Sequence, residues 1–366
     1  MRIVVSSTDL RRLYYMTMAT SLRKFWRFVQ IYGPSRTLEK AASRRRSAWP
    51  RLYRRSGPRD TAVIGCGQFA WSTICHYLAA ARGNRFAWCY DPDDARARAM
   101  ARRFRFDRVA DDPWTAIETA PAHTIYIASN HASHAGYAIA ALQAGKRVYV
   151  EKPVAVSPDQ LAALDRAVQH SRGAIHVGYN RPFAPALVRL QQALSGEAGA
   201  PLTLVCTVAG HVLGPDHWYR DPGEGTRICG NVGHWLDMAV SLLAQSGPLP
   251  DRWHMTLTPA IEREADENTA ITLTSDRGDL ITLVLTARSE PFEGIRENIV
   301  VQQGRVHAEI EDFRRLTLWR GPDRQRWRYW PKNVGHARAV AQPFTPGAPW
   351  QERWQRVLRS SLWMLT

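Results

Sequence analysis

Between Thr61 and Gly178 the chain alternates short apolar runs with longer stretches of helical periodicity. The runs TAVIG (61–65), RFAWCY (85–90), HTIYIA (123–128), KRVYV (146–150) and AIHVG (174–178) have the length and content of buried strands. Between them, CGQFAWSTICHYLAAARG (66–83), PDDARARAMARRF (92–104), HASHAGYAIAALQAG (131–145) and SPDQLAALDRAVQHSRG (157–173) read as helices. Pro92 and Pro158 stand where a first turn tolerates proline, Ser157 is a cap, and Gly83, Gly145 and Gly173 are stops. Strands alternating with single helices predict a doubly wound parallel sheet with right-handed crossovers over residues 60–178.

The second half has a two-residue period. PLTLVCTVAG (201–210), NTAITLTSDRGDLITLVLTA (268–287), NIVVQQGRVHAEI (298–310) and RLTLWRGPDRQRWRYW (315–330) alternate apolar with polar residues and are broken by Gly/Asp turns. They predict an α/β unit, residues 179–366, with a large, mostly antiparallel open sheet. One helix, about 227–245, interrupts it and another closes the chain near 349–363. The fold class is therefore α/β, a Rossmann-type sheet followed by the antiparallel one.

Residues 1–59 stand apart. They hold 15 Lys/Arg against 2 Asp/Glu, whereas the rest of the chain holds 34 against 31. The formal charge of +16 thus belongs mostly to an N-terminal extension, and the near-neutral body argues against a nucleic-acid partner. Leu22, Phe25, Trp26 and Val29 recur at helical spacing, with Arg23, Lys24 and Arg27 largely off the stripe. The stripe suits either an anionic membrane surface or packing on the chain's own body. The segment is a poor signal peptide, because Arg11 and Arg12 interrupt its apolar stretch; Met16 and Met18 are alternative starts. Cys66, Cys75, Cys89, Cys206 and Cys229 are odd in number and scattered, which fits a reducing cytoplasm and no disulfide frame. With no long apolar run, the expected location is the cytoplasm, with the arm at the inner membrane face as an option.

The first candidate chemistry is VIGCGQFA. Gly65, Gly67 and Ala70 follow the first strand at G-x-G-x-x-A spacing: a tight turn, a close approach of backbone to pyrophosphate, and a small residue for helix–strand packing. Asp91 ends the second strand, where it would either bond a ribose diol or cap the next helix. A carboxylate there favours NAD over NADP; Arg96 and Arg98 pull the other way. VYVEKPVAV poses a second question, since Lys152 and Glu151 are either a solvated strand end or catalytic groups at the mouth of a sheet. His131 and His134 share a helix but find no third ligand, so no metal site is expected.

Several motifs then occur in order: Ser129, Asn130 and His134 after a strand, ALQAGKRVYVEKP, GYNRPFAP (178–185) and GNVGHWLDM (230–238). Over about 60–340 the chain resembles the glucose-fructose oxidoreductase, inositol dehydrogenase and rhizopine-catabolism group, Gfo/Idh/MocA. The resemblance implies an NAD(P)-dependent oxidoreductase moving hydride between nicotinamide and a hydroxyl or oxo carbon of a sugar derivative. It places Lys152 at the nicotinamide, before a proline bond that is often cis, and His234 as a second proton carrier. Cofactor contacts would come from Gly65, Gly67, Gln68, Phe69, Ala70 and Asp91, and from Ser129, Asn130, His134, Glu151, Lys152 and Arg181. Substrate contacts would come from Tyr179, Asn180, Trp218, Arg227, Asn231 and Asp237, with Trp218 and Tyr219 stacking on a sugar ring and Arg220 and Arg227 meeting phosphate or carboxylate.

Inositol dehydrogenase-like members carry an aspartate four residues before the histidine; here that position is Gly230. The alternative is accordingly a member that binds dinucleotide without catalysis, as a sensor or assembly subunit. The loop GPDHWYRDPGEGTR (214–227) resembles a subgroup of cell-surface polysaccharide pathways, which implies a nucleotide sugar or sugar acid. A homo-oligomer, dimer or tetramer, through the antiparallel sheet is also implied.

Overall fold

A computed structural model describes residues 22–46, 57–214, 216–225, 227–262, 266–291 and 294–366. The expected arm is therefore seen only in part, and Met16 and Met18 lie outside the described residues. Two sheets carry the fold. The first is parallel, with strands β1 (Thr61–Ile64), β2 (Phe86–Tyr90), β3 (Arg108–Val109), β4 (Thr124–Ile127), β5 (Arg147–Val150) and β6 (Ala174–Val177) in the order 3-2-1-4-5-6. The order reverses between β1 and β4, which opens a crevice at their carboxyl ends. The helices are α3 (His76–Arg82), α4 (Asp94–Phe104), α5 (Pro113–Thr119), α6 (His134–Gln143) and α7 (Pro158–His170). All of β1 and β4 is buried, as a sheet covered on both faces requires.

The second sheet has eight strands: β7 (Leu202–Ala209), β8 (Trp253–Pro259), β9 (Thr269–Ser275), β10 (Leu280–Thr286), β11 (Arg296–Gln303), β12 (Val306–Glu311), β13 (Arg315–Arg320) and β14 (Asp323–Arg328). Their order is 14-13-12-11-7-10-9-8, and only β7 and β10 pair in parallel. Alternating burial along β7 and β11 directs one face toward α8 (Pro185–Leu194) and α9 (Gly233–Leu243), where Leu204, Cys206, Val208, Ile299 and Val301 meet Leu190, Leu236 and Val240. The chain then returns to the first sheet through α10 (His336–Ala341) and α11 (Trp350–Leu365). Along α11, Trp354 joins the core beneath the parallel sheet and Trp363 the core beneath the antiparallel one, so one helix ties both layers.

β3, α5, β8 and α10 carried too little pattern to be predicted; α8 went unassigned although Leu187, Leu190 and Leu194 recur at helical spacing behind Pro185. β3 has two residues, α10 has six and no side-chain cap, and β8 is an edge strand without alternating burial. Another departure concerns helix geometry. Ala70–Cys75 and Ile228–Val232 are π-helical, each at the start of a helix expected to be regular. In the arm, residues 22–32 (α1) and Pro34–Arg44 (α2) are helical. They pack on the body: Ile31 is buried, Glu39 accepts from Trp71 Nε1 at 3.0 Å, and Arg103 pairs with Glu39. Of the apolar stripe, Leu22 and Trp26 stay exposed, while Phe25 and Val29 are partly covered.

Candidate functional site

The crevice at the β1/β4 reversal is a cleft of about 790 Å³. Gly65, with φ +89°, makes its first turn; a Cβ there would lie 2.3 Å from Ala128 O. Gly67 differs, because a Cβ on it would meet nothing within 4 Å and would project into open space. The first intrahelical bond runs from Trp71 N to Gly67 O, so the N–H groups before it are left for a ligand. A pyrophosphate fits this cradle, on the strength of the space in front of Gly67. Asp91 lines the cleft and its carboxylate accepts from Cys66 N at 2.7 Å and Asp93 N at 3.0 Å, with Arg96 3.6 Å away. It holds the glycine turn; the cap of α4 is Asp93, which accepts from Arg96 N.

The same cleft is lined by Gln68, Phe69, Ser129, Asn130, His134, Glu151, Lys152 and Trp218. His134 is fully enclosed, with Nδ1 2.8 Å from Pro153 O and Nε2 3.2 Å from Ser129 O, so it clamps the turn after β4 to the loop after β5. Burial lowers its pKa to about 4. Glu151 accepts from Tyr149 Oη at 3.0 Å, and burial raises it to about 7 despite Lys152 beside it. The Lys152–Pro153 bond is cis, and Lys152 Nζ donates to Gly230 O at 2.6 Å.

Gly230 belongs to the π-helical turn that opens α9. A Cβ there would meet the Tyr219 ring at 2.8 Å and His131 Cε1 at 3.1 Å, so Tyr219 already fills the space of a side chain at 230. Four residues on, His234 is buried with Nδ1 lacking a partner. Burial, then Arg181 and Lys152, keep its imidazole well below its ordinary pKa and hence neutral near pH 7. The loop before α9 closes over the cleft through Glu224, whose carboxylate accepts from Asn130 Nδ2 at 2.7 Å and Ala132 N at 3.0 Å. His131 packs edge-on against Trp218 and at a tilt against Tyr219, at 4.6 and 5.1 Å between centroids.

Other expected residues are engaged elsewhere. Arg181 makes a buried bidentate pair with Glu297, at 2.9 and 3.1 Å. Asn180 donates to Val334 O, and Tyr179 packs its ring on His234 within the core. Asp237 is fully buried and pairs with Arg353 at 2.6 Å, joining α9 to α11 instead of facing the cleft. Arg227 donates to His211 O, and its Nε lies 3.3 Å from the Asn231 amide oxygen once that amide is oriented to satisfy both neighbours. Arg220 is taken by Glu267. Sequence reasoning missed Glu224, Glu297, Arg353 and His336; each acts through a contact distant along the chain, for which the sequence carries no signal. Among the described residues no group of His, Cys, Asp or Glu could hold a metal ion. A second depression, about 640 Å³, lies at the carboxyl ends of α6 and α7, by the amino edge of the sheet, and gathers none of these groups.

Residues 59–179 match the family model Gfo/Idh/MocA, described as an oxidoreductase family with an NAD-binding Rossmann fold. Over that third of the chain the likeness to the family is direct. The chain is 33% identical over 189 residues to inositol 2-dehydrogenase 2 of Saccharopolyspora erythraea, which covers 51% of this chain and 54% of that enzyme. It is 23% identical to scyllo-inositol 2-dehydrogenase (NAD(+)) of Bacillus subtilis, over 70% of this chain and 75% of that one. The chain thus spans about half the length of the first of these relatives. In fold it is similar to a dehydrogenase from Chromobacterium violaceum, with TM-score 0.71 and 16% identity over 85% of this chain and 94% of the other.

Proposed function

We propose that the chain is an NAD(P)-dependent dehydrogenase that oxidises a CH–OH carbon of a polyol or sugar derivative. The observation that carries this reading is Lys152, which lines the cleft and donates to Gly230 O one helical turn before His234, whose buried Nδ1 has no partner and whose protonation the charge of Lys152 opposes. A dinucleotide held in this cleft would supply the hydride acceptor for the reacting carbon. Lys152 donates a hydrogen bond to the reacting oxygen, which favours the charge that builds as the hydroxyl proton leaves. His234, neutral through burial, takes that proton at Nδ1. Gly65, Gly67, Gln68, Phe69 and Ala70 hold the phosphates; Asp91 and Glu151 meet the riboses. Ser129, Asn130 and His134 shape the nicotinamide end, and Trp218 and Tyr219 cover the substrate. Asp91 supports NAD, and Arg96 beside it leaves room for NADP. Arg181, Tyr179, Asn180 and Asp237 belong, in this reading, to the frame behind the site.

The reading includes a division into an arm (1–59), a dinucleotide unit (60–178) and a substrate unit (179–366). It also includes a second copy of the chain on the outer face of the large sheet, where Val205 and Leu280 are exposed. No described helix is long and apolar enough to cross a membrane; exposed Leu22 and Trp26 support a peripheral contact instead. The test is a panel of inositols, sugars, sugar acids and nucleotide sugars with NAD and NADP. Lys152→Ala and His234→Ala are each expected to cut turnover by about 10²-fold or more, the scale of general acid–base catalysis. Dinucleotide affinity should stay near that of the parent. Full activity in Lys152→Ala would refute the assignment, and tight NADH binding with no turnover on any substrate would favour a non-catalytic member.

A further inference from the structure

Of the arginines expected to meet a substrate anion, Arg220 is taken by Glu267, while Arg227 donates to His211 O through one nitrogen and keeps Nη1 buried without a hydrogen-bond partner. Cations without a carboxylate of their own gather on the other side of Phe69. Glu39, buried against Trp71 and Arg103, anchors α2 on the helix that follows the glycine turn. That anchoring sets Arg36, Thr37 and Lys40 opposite Gln68, Ser72 and Thr73 around a pocket of about 210 Å³. Its walls are aromatic: Arg36 lies over the Tyr32 ring at 5.4 Å and Lys40 over the Phe28 ring at 4.9 Å. Neither cation makes an ion pair with a described residue. Burial first, and then the neighbouring charges of Arg44, Arg36 and Lys24, lower Lys40 to about 8; Glu290 opposes this more weakly.

The pocket adjoins the proposed site. It shares Gln68 and Phe69 with the dinucleotide cleft. His336, whose ring packs on Phe69 at 5.5 Å, feels the charges of both Arg36 and Lys152. An anion held between Arg36 and Lys40 would therefore sit across Gln68 and Phe69 from the dinucleotide cleft. The lining holds two cations, no carboxylate and four hydroxyls, of which Thr37 and Ser72 already donate to Gly33 O and Gln68 O. The cations with Tyr32 and Thr73 match a phosphoryl group better than a neutral ring, because a dianion with three acceptor oxygens satisfies several charge-assisted donors at once.

We infer that the pocket between the N-terminal helices and Phe69 binds the phosphoryl group of a phosphorylated polyol or sugar substrate. The inference rests on the dehydrogenase reading for the word substrate, and on the pocket alone for the phosphate.

Calorimetric titration of the full chain with inorganic phosphate, in the presence of NADH, tests the pocket without turnover. Saturable binding is expected, weakened at least tenfold in Arg36→Gln and in Lys40→Gln. Phosphate should also slow acylation of Lys40 in the unaltered protein, a readout that does not depend on the variants folding. No saturable binding, or no protection, overturns the site. The kinetic arm compares phosphorylated and unphosphorylated polyols and sugar acids. Arg36→Gln should raise KM for the phosphorylated compound at least tenfold more than for its neutral counterpart, with kcat little changed. An equal change for both, or phosphate that no sugar phosphate displaces, overturns the substrate role. A chain that binds phosphate but oxidises nothing sinks the dehydrogenase reading alone. A chain that oxidises neutral polyols and ignores phosphate sinks the pocket alone.

Discussion

Along the wall formed by the ends of β1, β2, β4 and β5, each polar group is held by neighbours in the chain or in the adjacent strand. Asp91 accepts from Asp93 two residues on and from Cys66 in the next strand–turn; Glu151 accepts from Tyr149; His134 contacts Ser129. The opposite wall, residues 211–234, is held by groups far away in sequence. Lys152 reaches Gly230 across 78 positions and Asn130 reaches Glu224 across 94. The first wall comes with the parallel sheet. The second exists only once the two layers have docked, so it is the wall whose shape can differ between relatives sharing the first.

The largest expected effect concerns the buried imidazoles of the first layer. Burial lowers His131 to about 2, and His134 and His176 to about 4. As pH falls below about 6.5 the unfolded chain protonates each of them while the folded chain does not, so stability declines through that window. Glu151 works oppositely: raised to about 7, it stays protonated in the fold after the unfolded chain has lost its proton, and it costs stability as pH rises from about 4.5 to 7. With His234 and His336 shifted the same way, five buried imidazoles outnumber the raised carboxyls of Glu151, Asp237 and Asp312, so stability is expected to rise with pH across about 4.5 to 6.5. Thermal melts should show Tm climbing from pH 5 to 7; a flat profile would mean that these rings are hydrated.

Next comes the contrast within the glycine motif. Gly65→Ala drives a Cβ against the Ala128 carbonyl at a positive φ, so about 3 kcal/mol of stability is expected to go, visible as a lower Tm with or without ligand. Gly67→Val meets open space, so Tm should hardly move, while NADH affinity falls about tenfold or more as the approach to pyrophosphate closes. If the two variants behaved alike, the turn would not be the dinucleotide cradle.

This contrast also marks what the sequence could tell. Glycine spacing, the strand–helix alternation and the run ending at Lys152 are local patterns, and the parallel sheet and its cleft follow from them. The mostly antiparallel second sheet was legible through its two-residue period, though not the parallel β7–β10 pair, which joins strands about 80 residues apart. Asp91 and Asp93 are both reasonable caps in the sequence, and only the helix start separates them. Tyr219 over Gly230, Arg353 on Asp237 and Glu297 on Arg181 had no local signal, because each pair meets through packing of elements distant in the chain.

A sharper probe of the second wall is Gly230→Asp, which restores the residue that inositol dehydrogenase-like sequences carry. The new Cβ would stand 2.8 Å from the Tyr219 ring, so the ring must leave. Overpacking of this kind costs about 1–3 kcal/mol. The expected outcome is a looser loop, lower Tm and no gain in turnover. Pairing the change with Tyr219→Ala should recover most of the lost stability, and a single variant more active than the parent would show that Tyr219 is only filler.

The smallest effect tests what latches the second wall to the first. Glu224 offers two carboxylate oxygens to two donors, Asn130 Nδ2 and Ala132 N, and its own carbonyl lies 3.1 Å from His131 Nδ1. Glu224→Gln keeps the size of the side chain but leaves one oxygen, so one donor now faces an amide N–H₂. A hydrogen bond to a carboxylate outweighs a neutral one, yet this latch is partly open to water, and about 1 kcal/mol is a reasonable loss. The aromatic packing of His131 on Trp218 and Tyr219 is untouched and keeps the loop near its place. NADH affinity should therefore fall only about fivefold, and amide exchange over residues 211–232 should quicken while that of β1 and β4 stays as it was. Equal acceleration in both walls would mean that the latch supports the whole fold. Unchanged exchange in the loop would mean that packing alone closes it.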